Sequence, residues 1–231
     1  MTPEELARQK IDALLKQAGW VIQDRANFDR FAARGVAVEE FLVKDKKEAD
    51  YLLFIDGKAA GVIEAKKQGE TLSGTEAQSG GYAGSLPEHV KTHILPLPFV
   101  YESNGEEVFF RDGRDPSPRS RRIFAFHKPE TLERWLQEGD TLRSRLQHMP
   151  PLAKSTLRDC QINAITGLET SLAKADPRAL IQMATGAGKT YTACNFSYRL
   201  LKHAKPRRGL IFGLVARRKR AMTSLPCSLN G

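Results

Sequence analysis

The stretch ADYLLFIDGKAAGVIEAK, residues 49–66, contains two apolar runs on either side of Asp56-Gly57-Lys58. An Asp-Gly pair between apolar runs is a strong hairpin signal, so this stretch is predicted to form two antiparallel strands. The first run, residues 51–55, is apolar at every position, which predicts a central strand covered on both faces of its sheet. The chain is therefore predicted to be an α/β protein built around this hairpin.

The length of the hairpin loop determines whether two carboxylates, Asp50 and Glu64, lie side by side. A three-residue loop pairs Ile55 with Ala59 and, counting back, Asp50 with Glu64, which then share a face. A two-residue loop would pair Asp50 with Ile63 and turn the carboxylates to opposite faces, unless a bulge or divergent strands intervened. A metal site on this hairpin therefore predicts the three-residue loop.

Asp50, Glu64 and Lys66 are the residue types that a metal-dependent nuclease needs. Mg²⁺ prefers oxygen ligands, usually one or two carboxylates with water and substrate phosphate, and it can activate the attacking water and neutralise the phosphate. Lys66 lies two residues after Glu64 on a strand and projects from the same face, where its ammonium can stabilise developing charge. The spacing Asp-x13-Glu-x-Lys matches the PD-(D/E)xK nuclease pattern. That pattern is degenerate, but charged residues on a hydrophobic hairpin favour a functional interpretation.

Gln78 and Tyr82 follow the hairpin and are four residues apart, on one face of a predicted helical turn near the cleft. The alternative is an ordinary helix surface, and Gly80 and Gly81 between them weaken the helix.

Hydrophobic periodicity and turn residues predict the remaining elements. An amphipathic helix over residues 3–18 begins where Thr2 and Glu5 can form a capping box, and it ends at Gly19. The other predicted elements are a hairpin (94–101 and 107–111), a loop (111–122), a helix (129–138), a hinge (139–153), a helix (157–174), a strand (179–184) and a helix (189–203). The last strand and helix predict a βα unit of a parallel sheet.

A glycine loop with the sequence ATGAGKT, residues 184–190, connects that strand and helix. Glycines let backbone N–H groups approach phosphates, Lys189 can reach the terminal phosphates, and Thr190 offers a hydroxyl to Mg²⁺. Met183 departs from the strict eight-residue phosphate-loop motif. The Ala-Thr-Gly-x-Gly-Lys-Thr form is instead similar to motif I of superfamily 2 helicases, and residues 157–161, LRDCQ, resemble the adenine-contacting glutamine element of those enzymes. This resemblance implies that ATP binds at Gln161, Thr185, Gly186, Gly188, Lys189 and Thr190.

Residues 1–150 resemble the nuclease domain of the R (restriction and motor) subunit of type I restriction enzymes. The resemblance rests on residues 49–51, on VIEAKK at 62–67, on Gln78-x3-Tyr82, on LPFVY at 97–101, on SNG at 103–105 and on PETL at 129–132. It implies a PD-(D/E)xK mixed sheet flanked by helices, with Asp50 and Glu64 as metal ligands and Lys66 as a catalytic residue. Gln78 and Tyr82 would support cleavage and DNA contact, and Glu5 on the first helix is a further candidate besides its capping role.

The implied organisation is a nuclease domain over residues 1–150 and the first, incomplete part of a RecA-like helicase domain over residues 151–231. The implied partners are double-stranded DNA and the methyltransferase (M) and specificity (S) subunits, with Mg²⁺ and ATP as cofactors. The alternatives are a different nuclease–helicase fusion, of an anti-phage or repair enzyme, and an inert DNA-binding or subunit-assembly module. ATP hydrolysis is not expected from this chain, because hydrolysis needs an acidic element and no Asp or Glu follows Asp176.

The end of the chain departs from the resemblance. Residues 177–231 contain 11 Lys and Arg within a chain of net charge +9, and a basic segment favours phosphate partners. A frameshift or truncation near Phe212 is expected, which would make residues 213–231 aberrant and poorly ordered. Alternatively, the basic run Arg217–Arg220 is a genuine phosphate-binding patch.

The composition predicts a cytoplasmic protein. No apolar run approaches the roughly 18 residues of a membrane span, so no membrane partner is expected, and the N-terminus does not read as a secretory signal. Cys160, Cys194 and Cys227 are widely separated, form no metal-ligand spacing and indicate a reducing compartment.

Overall fold

The computed structural model describes residues 2–42, 48–67, 69, 72, 86–153, 156–176, 178–206 and 228–230. The chain divides into two compact units, Met1–Gly139 and Asp140–Gly231. The first unit ends before residue 150, because the segment predicted as a hinge contains a helix that packs within the second unit. Within the described ranges, no helix is long and apolar enough to cross a membrane.

The first unit contains a seven-stranded mixed sheet whose strands lie in chain order. Its strands are β1 (Val21–Asp24), β2 (Gly35–Leu42), β3 (Glu48–Ile55), β4 (Lys58–Ala65), β5 (Phe99–Ser103), β6 (Val108–Asp112) and β7 (Arg121–Ile123). The pairs β1–β2 and β4–β5 are parallel and the other four are antiparallel. The predicted mixed α/β architecture is confirmed, whereas the predicted loop at 111–122 is wrong where β7 begins.

Helix α1 (Pro3–Gln17) forms as predicted. The Thr2 Oγ1 atom accepts a hydrogen bond from the Glu5 N–H at 3.2 Å, and the Thr2 N–H donates to Glu5 Oε2 at 2.8 Å. This reciprocal pair satisfies two backbone donors that a helix start would otherwise leave unpaired. The apolar side of α1 then buries Ala7, Ile11 and Leu15 against the sheet.

Strand β3 is central and covered on both faces, as its continuous apolar sequence predicted. Tyr51, Leu53 and Ile55 belong to one core cluster, which also receives α1 and helix α2 (Pro129–Gln137). Leu52 and Phe54 belong to a second cluster on the other face, which Leu86, Val90 and Leu97 complete. Burial on both faces makes β3 and β4 a fixed support for the polar residues at their ends.

The predicted three-residue hairpin loop is wrong. Ile55 pairs with Lys58, so the loop contains only Asp56 and Gly57, whose φ angles of 46° and 76° suit a two-residue hairpin turn. The register then shifts between Phe54 and Leu53, which lie opposite Ala59 and Gly61. Ala60 is the extra residue of a β-bulge, and it compensates for the shorter loop.

The second unit contains helices α3 (Leu142–Gln147), α4 (Asp159–Ala173) and α5 (Lys189–Arg199), which continues into a π-helical turn (Leu200–Ala204). Strand β8 (Leu180–Gln182) precedes the glycine loop and pairs antiparallel with β9 (Ser228–Asn230). The parallel sheet that the sequence predicted is therefore not seen among the described residues. The strand predicted near residues 208–212, its natural parallel neighbour, lies outside them.

A buried ion pair joins two of these helices. The Arg199 guanidinium donates to both carboxylate oxygens of Glu169, at 2.6 and 3.0 Å, and it also reaches the Pro150 carbonyl at 2.5 Å. A bidentate pair of this kind fixes direction as well as distance. It therefore holds α5 against α4 and anchors the proline segment that had been predicted to be a hinge.

Candidate nuclease site and glycine loop

Strands β3 and β4 bring the two predicted metal ligands together despite the shorter loop. Tyr51 pairs with Ile63, and one further step along this register places Asp50 opposite Glu64. The Asp50 Oδ2 atom accepts a hydrogen bond from the Ala65 N–H at 2.9 Å, which ties the carboxylate to the partner strand. The bulge, rather than the loop, sets the register that leads towards the required pairing, and the paired residues of the two strands end at Tyr51 and Ile63.

Lys66 lies beside Glu64, as its position two residues further along the strand predicted. The Lys66 Nζ atom donates to Glu64 Oε1 at 2.5 Å, and the two side chains are only 14% and 13% exposed. Among the described residues, Glu64 Oε2 is buried and has no hydrogen-bond partner. A buried, unpaired carboxylate oxygen carries a desolvation cost, which a cation bound there would offset.

Arg8 also contacts Asp50, although no motif of the sequence indicated it. Its guanidinium donates to Asp50 Oδ1 at 2.8 Å and to Glu40 Oε1 at 2.5 Å. Burial works against the charged form of Arg8, but the hydrogen bonds and charges of Glu40 and Asp50 outweigh it, so the Arg8 pKa is raised. Only the docking of α1 on the sheet brings Arg8 here, so its spacing in the sequence could not have revealed it.

Arg8, Asp50 and Lys66 line one open cavity of about 600 Å³, whereas Glu64 is not among its lining residues. It is lined by Thr2, Glu4, Glu5, Arg8, Asp50, Ala65, Lys66 and Lys67. Glu5, the further candidate on the first helix, faces the cavity but also accepts the Thr2 N–H in the capping box. Its position therefore agrees with either role.

The two carboxylates fit a magnesium site that is completed by water and substrate. The described residues contain no group of three or more His, Cys, Asp or Glu side chains placed to hold a metal ion. Mg²⁺ is commonly held by only one or two carboxylates with water and phosphate, so Asp50 and Glu64 are sufficient in number. The unpaired Oε2 of Glu64 supports this fit.

Two predicted site residues are not among those described, and one further acidic residue lies next to Glu64. Gln78 and Tyr82 lie outside the described residues, so their roles stay predictions. Glu102 on the parallel strand β5, which no sequence motif indicated, is 3% exposed and pairs in register with Glu64 on β4. Its strand neighbours the Glu-x-Lys strand, and this pairing could be found only from the sheet order.

In the second unit, the glycine loop has the backbone that its sequence predicted. Gly186 and Gly188 have φ angles of 80° and 83°, which favour glycine, and Gly188 caps the start of α5. Lys189 Nζ donates to the Ala184 carbonyl at 2.9 Å, so the ammonium spans the loop. Thr185 and Thr190 are exposed beside it. Their nucleotide contacts stay predictions.

Gln161 lies against this loop and is 5% exposed. Its Nε2 donates to the Ala187 carbonyl at 3.0 Å, and its Oε1 accepts from the Arg158 N–H at 3.0 Å. A Cβ at Gly188 would lie 2.4 Å from that Nε2 atom, so glycine is required for this contact. The side chain thus connects α4 to the glycine loop, and contact with adenine stays a prediction.

The matches to known proteins are subunits of restriction enzymes. A model described as "Type I restriction enzyme EcoKI endonuclease subunit second domain" matches residues 31–136, and one described as "Type III restriction enzyme, res subunit" matches residues 154–220. The EcoKI endonuclease subunit of Escherichia coli (strain K12) is 28% identical over 265 aligned residues, which cover 93% of this chain and 22% of the relative. This chain is similar to the endonuclease subunits of type I restriction enzymes.

The recognition made from the motifs is thereby confirmed. Another type I endonuclease subunit, EcoAI of Escherichia coli, is 28% identical over 174 aligned residues, which cover 70% of this chain and 20% of the relative. The chain therefore spans only about a fifth of the length of these type I subunits. A fragment structure described as an HsdR subunit of a type I restriction enzyme from Vibrio vulnificus YJ016 matches with 24% identity and a TM-score of 0.45, covering 89% of this chain and 39% of that one.

Proposed function

We propose that the first unit is a PD-(D/E)xK nuclease of a type I restriction enzyme, which cleaves phosphodiester bonds of double-stranded DNA in the presence of Mg²⁺. The observation that carries this proposal is that Asp50 and Lys66 line one cavity. Glu64, whose side chain is 13% exposed, accepts a hydrogen bond from Lys66 beside that cavity. A chain that used these residues only as a solvated surface would not need to bury Glu64 and Lys66 to this degree.

The proposed mechanism divides the work among these side chains. Asp50 and Glu64 would hold Mg²⁺, which when bound supplies a polarised water and neutralises the phosphate. The backbone N–H of Ala65 orients Asp50. Lys66 lies 2.5 Å from Glu64, and its ammonium would stabilise the negative charge that develops on the phosphate oxygens. Gln78 and Tyr82 would contact the DNA.

The second unit is proposed to be the start of an ATP-driven motor, with a RecA-like arrangement that further chain would complete. Gly186, Gly188, Lys189 and Thr190 would hold the phosphates and their Mg²⁺, with Thr185 beside them. In the complete enzyme, the motor would move DNA, and M and S subunits would provide methylation and site recognition. The exposed, glycine-dependent loop with its lysine supports this proposal.

A second candidate is a folded module without catalysis. Both predicted ligands are already neutralised by cations, since Asp50 pairs with Arg8 and Glu64 pairs with Lys66. Such a balanced site needs no metal to be stable. Calorimetric titration of Mn²⁺ distinguishes the candidates, because only the nuclease predicts binding that Asp50→Ala removes.

Cleavage of supercoiled plasmid in Mg²⁺ tests the catalytic assignment. Lys66→Ala is expected to abolish cleavage, whereas Lys58→Ala removes an equal charge from the start of the same strand and should leave it unchanged. In an intact R subunit, Glu64→Ala or Lys66→Ala should abolish cutting and leave the ATPase rate unaltered. Normal cutting by both variants would overturn the site assignment.

A further inference from the structure

Arg8 occupies the place where a cation would approach Asp50. Both oxygens of Asp50 already accept hydrogen bonds, Oδ2 from the Ala65 N–H at 2.9 Å and Oδ1 from Arg8 at 2.8 Å. A divalent cation that binds Asp50 must therefore share an oxygen with one of these donors or displace it. The backbone of β4 cannot leave without disturbing its strand, so Arg8 is the donor that can move.

The surroundings of Arg8 make that movement possible. Its side chain is 41% exposed, so it can reorient without opening the core. It also has a second partner, Glu40, at 2.5 Å, whose side chain is 56% exposed. Glu40 occurs on β2 with a φ of 48°, a left-handed conformation that is uncommon for residues other than glycine. Arg8 can therefore release Asp50 and keep an ion pair with Glu40.

We infer that Arg8 is the resident counter-ion of Asp50 and competes with the divalent cation for it, releasing Asp50 and keeping only its ion pair with Glu40 when the metal binds. This inference rests on the proposed nuclease function and adds a residue that controls metal loading. Arg8 is a positioning residue, because it acts through Asp50. Two like charges at one carboxylate repel each other, so removing the guanidinium should strengthen metal binding.

Calorimetric titration of MnCl₂ into the 231-residue chain, without DNA, tests this competition. Arg8→Ala is expected to bind Mn²⁺ about 5-fold more tightly than the unchanged chain, the factor that matches a partly exposed ion pair. Arg8→Lys keeps the charge and should stay close to the unchanged chain. Lys10→Ala is the matched control, since Lys10 lies on the same helix, is 42% exposed and pairs with Glu106 at 3.0 Å.

Thermal unfolding gives a second readout that a purely structural role would not produce. Added MnCl₂ should raise the Tm of Arg8→Ala more than it raises the Tm of the unchanged chain, because tighter binding adds more stability. Arg8→Gln, which keeps the side-chain length, should show the same gain if Arg8→Ala folds poorly.

The outcomes separate this inference from the proposed function. Unchanged or weaker Mn²⁺ binding in Arg8→Ala and Arg8→Gln, with normal binding in the unchanged chain, overturns the competition alone. Equal gains in Arg8→Ala and Lys10→Ala also overturn it, since they would reflect overall charge. Absence of Asp50-dependent binding in every variant overturns both proposals.

Discussion

Asp50 is tied to Ala65 by a hydrogen bond of 2.9 Å, in which a side-chain oxygen of β3 accepts the backbone N–H of β4. The bond crosses the hairpin at the end where the predicted ligands lie. It gives Asp50 two roles, one in holding the strand ends together and one in presenting a carboxylate to the cavity. These roles can be separated by substitution.

Asp50→Asn keeps a carbonyl oxygen for the Ala65 N–H but removes the negative charge. We expect it to lose Mn²⁺ binding while its free energy of unfolding stays close to that of the unchanged chain. Asp50→Ala should lose binding and should also be about 1 kcal/mol less stable than Asp50→Asn, because it alone loses the hydrogen bond from the Ala65 N–H. Urea denaturation and calorimetry measure the two effects. Unimpaired Mn²⁺ binding by Asp50→Asn would contradict the ligand assignment.

Gly61 permits the close approach of β4 and β5. A Cβ at this position would lie 2.5 Å from the Phe99 carbonyl oxygen, which is backbone and cannot easily move. Gly61→Ala is therefore expected to destabilise the first unit by roughly 1–3 kcal/mol through overpacking. Gly139→Ala is the control, because a Cβ there meets nothing within 4 Å. Equal urea midpoints for the two variants would show that the strands can separate without cost.

His127 should make the stability of the first unit depend on pH. Burial, and then the charge of Arg121, lowers the pKa of His127 from 6.5 to about 4. Between these values the unfolded chain binds more protons than the folded chain, so stability is full above pH 6.5 and falls as the pH falls towards 4. The His127 contribution to this loss is roughly 3 kcal/mol.

Urea denaturation from pH 7 to pH 4 measures this effect. His127→Asn cannot take up the proton and can still form a hydrogen bond with Tyr101, which now bonds His127 Nδ1 at 2.9 Å. Its free energy of unfolding should therefore change less over this range. An identical pH dependence in both chains would assign the acid sensitivity to carboxylates.

Lys189 should contribute directly to nucleotide affinity. It now donates to the Ala184 carbonyl within the glycine loop, and a bound phosphate would offer a stronger, charged acceptor. Lys189→Ala is expected to weaken binding of a fluorescent ATP analogue about 10-fold. Lys202→Ala removes the same charge from the π-helical turn and should bind normally. Similar losses in both variants would indicate nonspecific attraction by the basic unit.

Capping residues and turn residues correctly predicted the helix and the hairpin that they begin or connect. The capping pair Thr2 and Glu5 located the start of α1, and the Asp-Gly turn with its apolar flanks located the β3–β4 hairpin. Strands β1 and β2 were not predicted. Strand β1 has only four residues, too few for a clear period, and the eight residues of β2 interrupt their apolar pattern at Glu39 and Glu40. The predicted pairing of Asp50 with Glu64 assumed a three-residue loop, whereas the register that leads towards it is set by the bulge at Ala60.

The contacts of Arg8 with Asp50 and with Glu40 could not be predicted, because they need a helix docked on a folded sheet. Sequence spacing reports neighbours within one element, such as Glu64 and Lys66, which are two apart on a strand. Contacts between elements depend on packing over long sequence separations. For that reason the residue types of the site could be predicted from the sequence, but the ion pair between Arg8 and Asp50 could not.

The bulge at Ala60 also affects how this hairpin can accept insertions and deletions during evolution. A regular hairpin with one more turn residue and a bulged hairpin with a two-residue turn bring the same two positions opposite each other. A residue gained in the turn can thus be offset by one lost at the bulge, and a residue lost in the turn by one gained there. The exchange keeps 13 residues between Asp50 and Glu64, so a conserved spacing in a distant relative would not reveal which of the two hairpins that relative forms.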